Sequence, residues 1–355
     1  MQTHLYLSIA GENRIAIYTF NNSNGKIEFQ ENVEVSGSPG PLTLSPCGNF
    51  LYAGLRSSKE IATFSIDEKT KQLTLLSTIN LDADTCYIAT DNSGNYLLSA
   101  YYGGGKVTVH RIEEDKTVQE DLLQEIETAP HAHYIETDAS NRYVFVPHTV
   151  PENAIYQFLF DQETGMLTEN PFGHYHPDEP IGPRHYTESP NKPIIYSSNE
   201  QGSSVSAYRI RTEDSTQTDM KNRSDKPNYN AHDAPGLLWE FQTISNLPDG
   251  FEGDNSCAQI HIDPNGKFLY ATNRGHNSVA MYSIDEETGE LSALGHQPTE
   301  PIPRVFNIDE TGNFLFVGGR DSGKLATYRI NRENGILSEL DVYEVGETPM
   351  WVLFL

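Results

Sequence analysis

Residues 257–296 read CAQIHIDPNGKFLYATNRGHNSVAMYSIDEETGELSALGH. Four short apolar runs are separated here by turn-forming residues: CAQIHID, then DPNG, KFLYATN, a short loop, SVAMYSI, then DEETGE, and LSALGH. Alternating apolar residues broken by Asp, Asn, Pro and Gly are the pattern of strands joined by tight turns. The third run recurs along the chain as IAIYTF, IATFSI, VTVHRI, IYQFLF, VSAYRI, VAMYSI and LATYRI. The fourth residues of these copies are Tyr18, Phe64, His110, Phe158, Tyr208, Tyr282 and Tyr328, spaced by 46, 46, 48, 50, 74 and 46. A period near 46 with four strands per unit, and no long helical period, predicts an all-β protein: a seven-bladed β-propeller with four antiparallel strands, a to d, in each blade.

The ends complete the count. HLYLSIA and RIAIYTF are strands b and c of the first unit with no strand a before them, while PMWVLFL follows the seventh strand d. The C-terminal strand is therefore expected to join the N-terminal blade and close the ring, leaving no open sheet edge between the ends. Residues 1–355 are read as one propeller domain. The 74-residue interval marks a polar insertion near 211–237, RTEDSTQTDMKNRSDKPNYNAHDAPGL, expected as a surface loop.

The chain carries 24 Lys and Arg against 50 Asp and Glu, a formal charge of −26. Such a field repels nucleic acid and anionic membrane surfaces, so neither is an expected partner. The start MQTHLYLSIA has no basic segment followed by a long apolar run, and no stretch is long and apolar enough to span a bilayer. Cys47, Cys86 and Cys257 form no CxxC pair, which suggests neither a zinc site nor a disulfide framework. A cytoplasmic protein, monomeric or weakly dimeric, is the expectation. The acidic DEKTK, DQETG and DEETG turns lack the order of a calcium loop, and no metal or cofactor is expected.

Strands a and b are antiparallel, so the start of a and the end of b share one face. The starts of a supply His131 and His133, Arg184 and His185, Gln259, Arg304 with Asn307, and Trp351. The ends of b supply Arg56, Tyr101, Tyr102, His148, Asn199 with Glu200, Asn273 with Arg274, and Arg320. Five arginines thus converge on one face of an acidic protein. Arginine offers a rigid fork of donors matched to phosphate and carboxylate, so a small anionic substrate is expected there. His133, His185 and Glu200 are candidate proton-transfer groups, and a histidine near its usual value of about 6.5 can act as a general base.

GPRH (182–185), SNE (198–200), TNR (272–274), PTEPIPRVFNID (298–309) and VGETPMW (345–351) resemble the corresponding segments of the 6-phosphogluconolactonase family of seven-bladed propellers, over essentially the whole chain. The resemblance implies hydrolysis of 6-phospho-D-glucono-1,5-lactone to 6-phosphogluconate in the oxidative pentose phosphate pathway, without metal or organic cofactor. The family is also similar to fungal carboxymuconate cyclases. Its site positions fall on His133, Arg184, His185, Asn199, Glu200, Asn273, Arg274, Arg304 and Asn307. In this reading His185 or Glu200 is the base, Arg184 and Arg304 hold phosphate or oxyanion, and Asn199, Asn273 and Asn307 meet hydroxyl groups. His133 and Arg274 join the binding set. Two positions depart from the family pattern: Gln259 stands where many members carry an acid, and VPH (146–148) where many have Asp-Leu-Gly. A different anionic lactone, such as a carboxymuconolactone, and a non-catalytic binding propeller remain the alternatives.

Overall fold

The computed structural model describes residues 3–212 and 235–355, so most of the insertion read at 211–237 lies outside the described residues. Among the described residues the chain forms seven four-stranded antiparallel sheets. Each is a sequential meander except the first, in which Pro349–Phe354 precedes Thr3–Ile9, Arg14–Phe20 and Ile27–Glu34. The closing strand pairs Leu5 with Phe354, Tyr6 with Leu353 and Leu7 with Val352, and two backbone bonds between His4 and Leu355 extend the ladder. The innermost strands of successive blades touch one another around most of the ring, so the seven strands a wall a central channel.

The turn between a and b explains why the repeat is legible. In blades 3, 4, 6 and 7 its first residue is a buried aspartate, Asp91, Asp138, Asp263 or Asp309. One carboxylate oxygen accepts the backbone N–H groups four and five residues on, for Asp309 those of Asn313 at 2.9 Å and Phe314 at 2.7 Å. The second oxygen accepts the N–H two residues on, so the side chain replaces the bonds the turn leaves open. In these turns Gly94, Gly266 and Gly312 take a left-handed conformation, as Asn141 does in blade 4.

Blades are also tied to their neighbours. The strand b tyrosines Tyr6, Tyr52, Tyr196 and Tyr270 each donate to a carbonyl in the c to d turn of the next blade, at Lys71, Lys116, Gly289 and Gly335. Blade 4 is the irregular one. Its strand a is Glu136–Thr137 and its strand d is Met166–Glu169. The segment after d folds back so that Tyr175 pairs with Ile155 of strand c.

Candidate active site

All seven blades contribute to one cavity on the face where strands a begin and strands b end. Met350 and Trp351 come from blade 1, Gly40, Pro41 and Arg56 from blade 2, Cys86 from blade 3 and His133 from blade 4. Arg184 and His185 come from blade 5, Gln259 from blade 6, and Arg304 with Val305 from blade 7. Beta-bulges aim several of them. The ladder slips by one residue between Pro183 and His185, between Pro303 and Val305, between Cys257 and Ile260, and between Pro39 and Leu42. Arg184 and Arg304 are thus the extra residues of their strands, freed from the strict alternation of a pleated strand. The space left between the side chains is about 20 Å³, room for about one water.

The charges do not balance. Arg56 is held by Asp84 at 2.7 Å. Glu200, just beyond the end of its strand b, lies 2.8 Å from Arg184 Nε and 3.2 Å from Arg274 Nη2. Four guanidinium groups, of Arg56, Arg184, Arg274 and Arg304, therefore face two carboxylates. Arg184 is 1% exposed. Its Nη1 has no hydrogen-bond partner, and its Nε, although close to Glu200, is not aligned for a bond, so that contact is ionic. Burial, which outweighs every other influence, and then Arg274 push the Arg184 guanidinium well below its ordinary range; burial and Arg274 push that of Arg304 down to about 10. Arginine remains cationic at neutral pH even so. Burial would raise the Glu200 carboxyl, but Arg184 and Arg274 outweigh it and hold the group below its usual value.

Beside this cluster His185 Nε2 meets His133 Nδ1 at 3.2 Å. Burial first, then Arg184, drives both imidazoles well below 6.5, so the expectation of a histidine near its ordinary value is corrected here. Both rings are neutral at pH 7. Such a pair shares one N–H···N bond, leaving one ring nitrogen as acceptor and one as donor. Under them the Tyr87 ring stands edge-on to His185 and to Trp351 at 5.5 and 5.4 Å between centroids. Tyr134 lies against both Tyr87 and His185 and donates its hydroxyl to half-buried Glu136.

His133, Arg184, His185, Glu200, Arg274 and Arg304, all picked from sequence, come together. The three asparagines do not line the cavity. Asn199 donates to Ser204 and Ser206, each at 2.9 Å; Asn273 bonds Asn246 and Asn255; Asn307 bonds Val352 of the next blade at 3.1 Å. They knit the blade ends that carry Glu200, Arg274 and Arg304. Arg320 pairs with Asp321 and is 41% exposed at the rim. Cys86, Tyr87, Tyr134 and Met350 were not singled out as site residues, because an apolar or aromatic residue starting a strand reads first as core. Among the described residues no group of three or more His, Cys, Asp or Glu is arranged to hold a metal ion, and no helix is long and apolar enough to cross a membrane.

Comparison with known proteins agrees with this architecture. The family described as lactonase, 7-bladed beta-propeller, matches residues 3–236 and 227–354. A 6-phosphogluconolactonase of Pectobacterium carotovorum subsp. carotovorum (strain PC1) is 32% identical over 356 residues, covering all of this chain and 99% of that protein. One from Enterobacter sp. (strain 638) is 30% identical over 353 residues, covering 99% of each. Among solved structures, the periplasmic gluconolactonase of Pseudomonas aeruginosa superposes with a TM-score of 0.85 at 21% identity, over all of this chain and 99% of its own; at that identity the likeness concerns the fold.

Proposed function

The chain belongs to the lactonase family of seven-bladed β-propellers, and from that premise we propose that it hydrolyses 6-phospho-D-glucono-1,5-lactone to 6-phosphogluconate, a step of the pentose phosphate pathway. One observation carries the reading: an excess of buried guanidinium charge, with Arg184 donors left over, placed beside a neutral histidine pair. The excess suits a phosphate dianion or a developing oxyanion. A cavity with room for about one water does not engulf a sugar ring, so in this reading the lactone sits at its opening with the reactive carbonyl toward the arginines.

Hydrolysis needs one proton taken and one given. The acceptor nitrogen of the His133–His185 pair takes a proton from water as its oxygen attacks the lactone carbonyl. Arg184 and Arg304 hold the resulting oxyanion or the phosphate, and Glu200 keeps Arg184 and Arg274 in place. When the ring C–O bond breaks, the donor nitrogen of the same pair protonates the departing ring oxygen. Imidazoles held this low are weak bases, but lactones open readily and the demand is modest. The three unpaired cysteines, one of them exposed, suit a reducing cytoplasm. The test is hydrolysis of freshly generated phosphorylated lactone, corrected for its spontaneous opening, beside a carboxymuconolactone. Preference for the first is expected. Turnover of the second alone would assign another anionic lactone, and turnover of neither would leave a binding module.

A further inference from the structure

We propose that Arg56 and Arg304 form a phosphate subsite at the opening of the cavity, leaving Arg184 to the lactone carbonyl. This rests on the lactonase reading above. Strands a of blades 5, 7, 1 and 2 begin alike, with a proline, Pro183, Pro303, Pro349 or Pro39, paired to the last residue of strand b. The residue after that proline is an arginine in blades 5 and 7, Arg184 and Arg304, but in blade 2 it is Gly40. Blade 2 supplies its arginine by another route. Arg56, one residue past strand b, is anchored by its backbone N–H to Ser38 O at 2.8 Å, and its stem lies over Gly40. A methyl group at position 40 would stand 2.9 Å from Arg56 Cδ and 3.1 Å from Cγ, so the absent side chain is what lets Arg56 lie there.

Arg56 and Arg304 differ from Arg184 in what they leave free and in who can reach them. One oxygen of Asp84 takes both Nε and Nη2 of Arg56, at 3.2 and 2.7 Å, and Nη1 makes no bond among the described residues. Arg304 makes no hydrogen bond and no ion pair among the described residues. Burial first, and then Arg274 and Arg56, press its guanidinium down to about 10, so Arg56 is close enough to repel it. A dianion bound by both relieves that repulsion. The Arg56 side chain is 31% exposed, against 2% for Arg184. A phosphate is larger than the single water the cavity holds and stops at the opening, where Arg56 and Arg304 are reachable; a carbonyl oxygen is small enough to approach Arg184 beside the histidine pair.

Calorimetric titration with inorganic phosphate reads the subsite without turnover. Arg56→Gln should raise the phosphate Kd about 10-fold or more, and Arg56→Lys should recover part of that loss. Gly40→Ala leaves every charge in place and should raise Kd by about 3- to 10-fold, a fraction of the same loss, by displacing Arg56. It also keeps the inference testable should Arg56→Gln misfold, which melting curves without phosphate reveal. On 6-phosphogluconolactone, Arg56→Gln should raise KM about 10-fold and lower kcat less, whereas Arg184→Gln should lower kcat more than it raises KM. A folded Arg56→Gln protein that binds phosphate as tightly as wild type, or keeps the wild-type KM, overturns the inference, and so does a wild type that binds no phosphate. If wild type opens neither lactone, the lactonase reading fails, and the phosphate titration alone still decides the subsite.

Discussion

Arg184 and His185 are neighbours in sequence, yet both reach the cavity, because the bulge at Pro183 removes the alternation that would send one of them into the sheet. Bulges are set by ladder register and leave no plain mark in composition, so the charge pattern located Arg184, Arg274 and Arg304 while the facing of Asn199, Asn273 and Asn307 was not legible. Each asparagine sits one to three residues from Glu200, Arg274 or Arg304, and the sequence cannot say which member of such a neighbourhood turns inward. The histidines were legible as a pair of candidates, but their surroundings were not. It takes the folded burial of the pair, and then the positions of Arg184 and Arg304, 120 residues apart, to see both imidazoles forced neutral. This leads to a pH prediction. Because the pair is held well below 6.5, the acidic limb of kcat/KM should lie below pH 6.5 in wild type. In His185→Ala that limb should vanish, with kcat down by about 10²- to 10⁴-fold and KM changed less. Rate profiles from pH 4.5 to 8, recorded beside melting curves, check it; an unaltered profile in the variant would remove His185 from the proton path.

The strand repeat was the most legible feature because its cause is local: apolar alternation recurs in each copy, and in blades 3, 4, 6 and 7 the turn between a and b is an aspartate turn with a left-handed glycine or asparagine. Blade 4 escaped such reading, since its strand a has two residues and the fold-back at Tyr175 stands where a regular strand d would continue. The blade assembled from both chain ends was legible by subtraction, one strand a missing and one left over. Val352 and Phe354 on that strand are buried in the cluster that joins blades 1 and 7, and Leu353 and Trp351 pack toward blade 2. Deleting residues 349–355 strips two buried side chains, about 3–6 kcal/mol in all, and opens the ladder edge of Thr3–Ile9. Loss of cooperative unfolding, or a fall in melting temperature of at least about 10 °C, is expected. An unchanged melting temperature by calorimetry or circular dichroism would contradict closure by the C-terminal strand.

At the scale of the whole molecule, the ring gathers one cationic cavity onto a chain of net charge −26, a contrast that focuses small anions on a cavity where buried Arg184 has donors to spare. The same burial that serves the cavity makes the fold sensitive to acid. His110 and His148 are pushed down to about 4, and His133 and His185 well below 6.5, so from pH 6.5 downward the unfolded chain takes up protons that the folded chain refuses. Glu188, raised by burial to about 7, and Glu136, also raised, work in the opposite sense over this range and offset part of the loss. Net stability should fall by a few kcal/mol between pH 6.5 and 5, measured as the shift in denaturant midpoint. The most direct test of the central claim, that the shared arginine cavity is a lactonase site, is the rate of 6-phosphogluconolactone opening by wild type, Arg304→Lys and Arg304→Ala, corrected for spontaneous hydrolysis. A charge-assisted bond in a shielded site is worth about 1.5–3 kcal/mol. Arg304→Ala should therefore lose about 10- to 150-fold in kcat/KM with its melting temperature retained, and Arg304→Lys should fall between it and wild type. A folded Arg304→Ala protein that opens the lactone at the wild-type rate would contradict the assignment.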